Sequence, residues 1–279
     1  MIDHIIDTPE LKRELKTIAV KLRQYEEVQF YTDGSLQKDL KYIDSMGIGW
    51  VNVNQENICF SASAILWSSS TKAEMLACLT ALIVAAPKAL VTIFTDSAAT
   101  ITGFERLDTF MQLSVQKREK IPNFQIWMIV AHIIKVLDLK IKLIKVKAHS
   151  SDRLNNKADI LAKKAAVSAP NLSLQYMNLP GLLLGITYDN LVIETSSRKI
   201  IKQIFDAHAF YDTLQLRRHS DLRTLTEYHH INWPSTVFML NYNYSENDQA
   251  ATSFPQYRQR AFKYKLFSDE LPTLAQMKV

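Results

Sequence analysis

The chain writes a strand-to-loop junction twice in nearly the same letters, Phe30-Tyr31-Thr32-Asp33-Gly34-Ser35 and Ile93-Phe94-Thr95-Asp96-Ser97. An aspartate at the C-terminal end of an apolar strand, ahead of small residues, stands where open α/β sheets place their sites. If the two strands are parallel neighbours, Asp33 and Asp96 lie side by side. Two close carboxylates raise one another's pKa, and a divalent cation removes that penalty. Either Asp taken singly reads equally well as the cap of the turn after its strand; the matched pair favours a site.

Two further acids sit on helices. Glu74 closes Thr71-Lys72-Ala73-Glu74, which fits a capping box in which the glutamate reaches back to the cap's N–H. It also shares a helical stripe with Ala77, Cys78, Ala81 and Ala85, small residues that let a helix lie close to a sheet. On that reading Glu74 points at the strand ends, and a buried carboxylate needs a partner. Asp159 can pair with Lys163 one turn on, yet it lies beside Ala158, Leu161, Ala162 and Ala165, the apolar face of its helix. Three or four carboxylates converging from two strands and two helices form an all-oxygen cage that suits Mg²⁺ or Mn²⁺ rather than zinc.

The elements that must position these acids follow from pattern. A charged amphipathic helix is expected from Thr8 to about Tyr25, with Pro9 at its first position. Val28–Gly34 alternates as a strand, and Gly47–Val53 and Ile58–Leu66 are close enough to pair as hairpins. An Ala- and Leu-rich helix spans Thr71–Ala86, a short strand Leu90–Thr95, and a helix Ser97–Leu107. Pro122 opens a helix over Asn123–Leu137, the strand Lys140–Val146 follows, and Asn155–Val167 is helical, with Asn155 a sound N-cap. The order β-β-β-α-β-α-α-β-α predicts a mixed five-stranded α/β sheet with helices on its faces. Residues 168–173 read as a linker, which sets expected domains of 1–25 (helical extension), 26–169 (site-bearing domain) and 170–279.

Composition narrows the class. At 279 residues, 47% hydrophobic and 22% charged, the chain is globular. Its longest apolar run, Met75–Ala86, is too short for the roughly 18 residues of a spanning helix, so no membrane role is expected. The N-terminus lacks the basic region of a secretory signal. Cys59 and Cys78 form neither a disulfide framework nor a zinc pair, which fits an intracellular place, nucleus or cytoplasm. The net charge of +5 is mild, but the stretch from Lys135 to Lys164 carries nine basic residues against three acids. That is the footprint of a phosphate-binding face, or of a solvated lysine face that keeps the chain soluble.

Taken together, Tyr31–Ser35, Gly47-Ile48-Gly49, Thr71–Ala77, Thr95-Asp96-Ser97 and the run Val146–Ala162, with His149 ten residues before Asp159, resemble ribonuclease H over about Glu26 to Ala169. The resemblance implies a ribonuclease H-like fold and cleavage of the RNA strand of RNA–DNA hybrids. The metal ligands would be Asp33, Glu74, Asp96 and Asp159, holding two Mg²⁺ (or Mn²⁺) ions, and the products a 5′-phosphate and a 3′-hydroxyl. His149 would be the loop histidine that assists turnover near the leaving group; alone it reads as an exposed bystander. Nucleic-acid contacts would come from Gly34, Ser35, Ser70, Thr71, Ser97 and Asn155, with Lys142, Lys145, Lys147, Arg153 and Lys157 on phosphates. Glycines usual around the loop histidine are replaced by Ala148 and Ser151, which stiffens the loop. Groove-reading Asn and Gln of relatives are replaced by Ser70, Thr71 and Ala98. Two other readings remain open: a hybrid-binding module of the same fold without catalysis, and a DNA nuclease or transposase of that fold.

Residues 171–279 hold 11 basic and 10 acidic residues and no electrostatic signature. Two short strands are expected around Tyr188-Asp189-Asn190, a helix over Arg198–Leu216, a polar loop over 241–253, and a basic aromatic helix over Pro255–Phe267. That last helix could dock on a partner or stack on single-stranded nucleic acid. His229-His230 without a nearby Cys is a poor metal site. A ribonuclease H-like module followed by such a region resembles the tail of a retrotransposon polyprotein, so a fragment of one, or a captured element gene, is expected.

Overall fold

The computed structural model describes residues 1–37, 44–147, 152–176, 186–188, 191–227, 230–241 and 254–267. After a short helix α1 (Ile2–Ile5), α2 spans Pro9–Leu22. Then come β1 (Glu27–Gln37), β2 (Ser45–Asn52), β3 (Cys59–Ala64), α3 (Ser70–Leu82), β4 (Leu90–Thr95), α4 (Ala98–Glu105), α5 (Leu107–Gln112), α6 (Val115–Arg118), α7 (Phe124–Leu137), β5 (Lys140–Lys145) and α8 (Arg153–Ser168). The five strands form one mixed sheet in the order β3-β2-β1-β4-β5, antiparallel through β1, β2 and β3 and parallel through β1, β4 and β5. This is the expected ribonuclease H-like sheet with helices on its faces.

The side-chain alternation of β1 sends Phe30 and Thr32 to one face and Tyr31 to the other. On the first face Phe30 meets Trp50 edge-on at 5.0 Å, and Trp50 stacks on Phe60 at 5.7 Å. Trp50 Nε1 donates to Thr80 Oγ1 on α3 at 3.1 Å, so its one polar atom is satisfied inside the core. On the other face α8 runs along β2 with Ala158, Ala162, Ala165 and Ala166 buried. A Cβ on Gly47 would stand 1.8 Å from the Ala162 carbonyl oxygen, and one on Gly49 2.7 Å from that of Ala158. The Gly47-Ile48-Gly49 motif is therefore a groove cut for a helix backbone.

Two sequence expectations change. The extension expected over 1–25 is part of the same core: Ile2, Ile5, Ile6, Leu11, Leu15, Ile18 and Leu22 join the cluster that contains Phe30 and Trp50. The stretch expected to be a linker, 168–173, is docked: Asn171 bridges Ser63 beside β3, Leu174 bridges Ile6, and Leu172 is buried. Apolar Leu172 and Leu174 override the loop-like composition around Pro170. The chain accordingly separates into compact units of Met1–Lys199 and Ile200–Val279, not at 169/170.

Beyond α8, the first unit holds a small hairpin, β6 (Thr187–Tyr188) with β7 (Leu191–Val192). The residues after β7 clamp the front of the sheet domain. Glu194 is buried and ion-pairs with buried Lys72, the second residue after Ser70 in α3, and accepts from the Tyr176 hydroxyl. Lys72 Nζ also donates to the Leu66 carbonyl at 3.0 Å, Gln125 donates to the Ile193 carbonyl at 3.1 Å, and Trp67 donates to the Val192 carbonyl at 2.8 Å. Segment 191–194 thus ties the entry of α3 to the start of α7.

Helix α9 (Ser197–Gln215) leads into the second unit, with α10 (Ser220–Glu227), α11 (Trp233–Asn241) and α12 (Phe254–Phe267). Trp233 packs edge-on against Phe210 at 4.9 Å and against Phe267 at 6.0 Å. The polar loop expected over 241–253 lies, after residue 241, outside the described residues, as do 182–185 and 189–190 of the expected strands. Among the described residues no helix is long and apolar enough to cross a membrane.

Breaking one partner of a buried ion pair typically costs about 3–5 kcal/mol because the other charge stays behind. Glu194→Gln should therefore lower Tm by roughly 10 °C, at about 2–4 °C per kcal/mol for a domain of this size. Lys72→Met/Glu194→Met, which removes both charges, should restore most of the loss. A double variant as unstable as the single one in thermal melts would contradict the clamp.

Candidate active site

Strands β1 and β4 are parallel neighbours with Tyr31 opposite Phe94, so two residues on Asp33 comes level with Asp96 beyond the last paired positions. The third acid arrives from α3. A Cβ on Gly34 would stand 2.3 Å from the Glu74 backbone nitrogen and 2.8 Å from Ala73 Cβ, so only glycine lets the first turn of α3 settle on the end of β1. Asp33, Glu74 and Asp96 together present one carboxylate oxygen each, all within 4.8 Å of one another. Asp33 and Glu74 are buried and Asp96 half-buried.

Glu74 does not cap its own helix. The N-cap of α3 is Ser69, whose hydroxyl accepts from the Lys72 N–H at 3.1 Å, so the capping box headed by Thr71 does not form. Nor does the small-residue stripe aim Glu74, because α3 is buried on all sides from Lys72 to Leu82. The close approach at Gly34 aims it instead. Burial, then the charges of Asp33 and Asp96, hold its carboxyl well above the ordinary glutamate range, opposed by a hydrogen bond from the Gly34 backbone. Its Oε2 is buried with no hydrogen-bond partner.

Asp159 lines the same cavity of about 230 Å³ with Asp33, Gly34, Ser35, Glu74, Asp96, Asn155, Asn156 and Lys163. Its Oδ2 is 2.8 Å from Lys163 Nζ, so the surface pair that spacing allowed is made at the cavity itself. Asn155 is not the cap of α8. Asp152 is: its Oδ1 accepts from Leu154 N–H at 2.9 Å and Asn155 N–H at 3.2 Å, starting the helix two residues earlier than expected. This leaves Asn155 buried against the cavity with its Oδ1 unpartnered. Asp152 also accepts from the Tyr31 hydroxyl at 2.8 Å, and Tyr31 stacks on Phe94 at 4.5 Å. Burial and the Asp152 bond push the Tyr31 phenol up to about 12. That bond pins the start of α8 to the strand that carries Asp33. The sequence signal was Asp152 itself, a cap type as good as Asn155.

The remaining expected contacts divide. Ser97 caps α4, its hydroxyl accepting from Thr100 N–H at 3.3 Å. Ser70 is exposed at the entry of α3, and Thr71 lines an open groove with Ser69, Ala98, Arg106, Asn123 and Trp127. Lys142, Lys145 and Lys147 are exposed on or just after β5. Arg153 and Lys157 are engaged elsewhere. Arg153 forms a two-pronged pair with Glu56, and Lys157 Nζ donates to the Glu56 carbonyl at 2.7 Å, tying α8 to the turn between β2 and β3. His149 lies outside the described residues.

Oxygen donors gathered this tightly, with the Glu74 and Asn155 oxygens buried and unpartnered, fit a hard divalent cation better than any neutral ligand. The family model for RNase H matches residues 25–167, just over half of the chain. This chain belongs to the RNase H family. A solved structure of foamy viral protease-reverse transcriptase in complex with dsDNA is similar at 21% identity and a TM-score of 0.42, covering 52% of this chain and 97% of that one. None of the curated proteins compared with the chain matches it.

A raised carboxyl pKa makes stability depend on pH. The unfolded chain releases the Glu74 proton near 4.5, the folded metal-free chain holds it to higher pH, and stability falls as pH rises through that window. Glu74→Gln should therefore melt at higher temperature than wild type at pH 7 without divalent ions, with the gap closing below pH 4.5. Equal melting temperatures across that range would mean that Glu74 is not strained.

Proposed function

We propose that this member of the RNase H family hydrolyses the RNA strand of RNA–DNA hybrids, leaving a 5′-phosphate and a 3′-hydroxyl. The observation that supports it most is the convergence of Asp33, Glu74 and Asp96 within 4.8 Å at the ends of two parallel strands and the start of a buried helix. Asp159, on the wall of the same cavity, is the fourth ligand of the proposal. Two Mg²⁺ or Mn²⁺ ions bound there would activate water and stabilise the leaving oxygen.

The chain's own residues do the rest. Asp33 and Asp159 on regular elements, and Asp96 one residue past β4, supply fixed negative charge, so little reorganisation is needed when charge develops. Burial and the neighbouring aspartates raise the Glu74 pKa, and a cation held beside it would favour its charged form. Gly34, Ser35, Ser70, Thr71, Ser97 and Asn155 form the floor and edges against which the scissile backbone lies, and His149 assists turnover near the leaving group. RNA is told from DNA by its 2′-hydroxyls and by groove shape rather than by sequence. Exposed Lys142, Lys145 and Lys147 contact phosphates; Arg153 and Lys157 do so only by leaving Glu56. In this reading the protein works inside the cell, in nucleus or cytoplasm, as the unpaired Cys59 and Cys78 also fit, with other parts of a retroelement polyprotein as candidate partners.

The deciding assay is cleavage of a labelled RNA–DNA hybrid with Mg²⁺. Wild type should cut the RNA strand only, and Asp96→Asn should lose about 10²- to 10³-fold in rate, as removal of a central charge-stabilising group does. Hybrid bound but uncut in both Mg²⁺ and Mn²⁺ would move the reading to an inactive binding module, and cutting of duplex DNA would move it to a DNA nuclease. A separate measurement tests the basic face. Alanine at Lys142, Lys145 and Lys147 should flatten the dependence of log K on log salt by about 2 to 3. An unchanged slope removes these lysines from the interface.

A further inference from the structure

The cavity that holds the acids already contains a cation of the chain's own. Lys163 lines it, and its ammonium sits 2.8 Å from Asp159 Oδ2. The partner is half-hidden: the Asp159 side chain is 28% exposed against 54% for Lys163. Asp33 lines the same cavity as Lys163 and Asp159, so the ammonium stands in a pocket shared with the other acids. Asp33, Glu74 and Asp96 form a tight cluster, whereas Asp159 is turned to the lysine. The i,i+4 spacing on α8 makes this arrangement local, and a hydrogen bond from Gln37 to the Lys163 backbone carbonyl at 3.2 Å holds that turn of the helix against the end of β1.

We propose that Lys163 is a resident counter-cation that competes with divalent metal for the Asp159 carboxylate and so sets the metal concentration at which the cavity fills. This inference rests on the metal-dependent reading above. In the metal-free chain an ammonium screens carboxylates that would otherwise repel one another. A metal ion that takes Asp159 Oδ2 displaces Lys163, and one that takes the other oxygen lies beside an ammonium of like charge. Uptake through this wall therefore carries a cost set by the lysine. The released ammonium then lies at the cavity mouth, where an incoming phosphodiester brings negative charge.

The test is metal binding without nucleic acid on the full chain, read as loss of the free Mn²⁺ signal in electron paramagnetic resonance. Thermal melts confirm that each variant is folded, as expected for a side chain this exposed. Lys163→Met should bind Mn²⁺ about threefold to tenfold more tightly than wild type, the range expected for removing one partly screened charge beside the ion. Lys163→Arg, which keeps charge and pair, should match wild type. The gain should shrink to less than about twofold when Lys163→Met is made on Asp159→Asn, because nothing is left to compete for. Unchanged or weaker binding by Lys163→Met overturns the proposal. So does an equal gain in the Asp159→Asn background, which would mean that the lysine acts only through its general field. Failure of the wild type to bind Mn²⁺ at all is a different outcome: it removes the metal site, and this inference with it.

Discussion

Three carboxylate oxygens from Asp33, Glu74 and Asp96 are held within 4.8 Å of one another, two of the three groups buried, and every other feature of the first unit serves that placement. Like charges at this range push apart and desolvation adds to the penalty. The arrangement persists because it is over-determined by packing. The strands that carry the two aspartates are hydrogen-bonded neighbours in the middle of the sheet, and α3 is enclosed from Lys72 to Leu82. With nowhere to retreat, Glu74 has its pKa raised and leaves a buried oxygen without a hydrogen-bond partner. Functional sites are a usual place for a protein to give up stability in favour of function.

Close approach of backbone to backbone is what makes this packing possible. At Gly34 the sheet admits α3, and at Gly47 and Gly49 it admits α8, with no space for a side chain at any of the three. The alanines of α8 complete the fit from the helix side. Tyr31 then links the two halves of the site: stacked on Phe94 and bonded to Asp152, it joins β1, β4 and the first turn of α8 around the cavity. Asp33, Glu74 and Asp159 sit within a strand and two helices and Asp96 one residue past β4, so the acids are held with little freedom to rearrange.

The region after the family match is not an appendage. Segments 171–176 and 191–194 lie along β3 and across the entries of α3 and α7, and Glu194 neutralises a lysine that α3 buries in its first turn. The buried Lys72 lies two residues before Glu74, so the ion pair and the carboxylate cluster share one turn of helix. That is why the compact unit runs to Lys199 while the family model ends at 167.

The succession of the five strands and the pairing of Asp33 with Asp96 were legible in the sequence, because they rest on local signals: alternation and a repeated Thr-Asp junction. Boundaries moved by a few residues wherever several residues could cap, as at Ser69 against Thr71 and Asp152 against Asn155. A cap is chosen by which side chain reaches the free N–H groups once the helix is docked, and spacing does not record that. Glu74 and Asp159 each had a local explanation, a capping box and an i,i+4 pair. Tertiary structure rejected the first, because Gly34 draws the helix onto the sheet, and kept the second while moving it into the cavity. The partnership of Lys72 with Glu194, 122 residues apart, left no local trace, and the amphipathic pattern of the first long helix did not record which core its apolar face joins. The sequence by itself determined which groups could do chemistry; only the packing of distant segments decided which of them face one another, because burial and charge pairing depend on neighbours in space that no window of the chain contains.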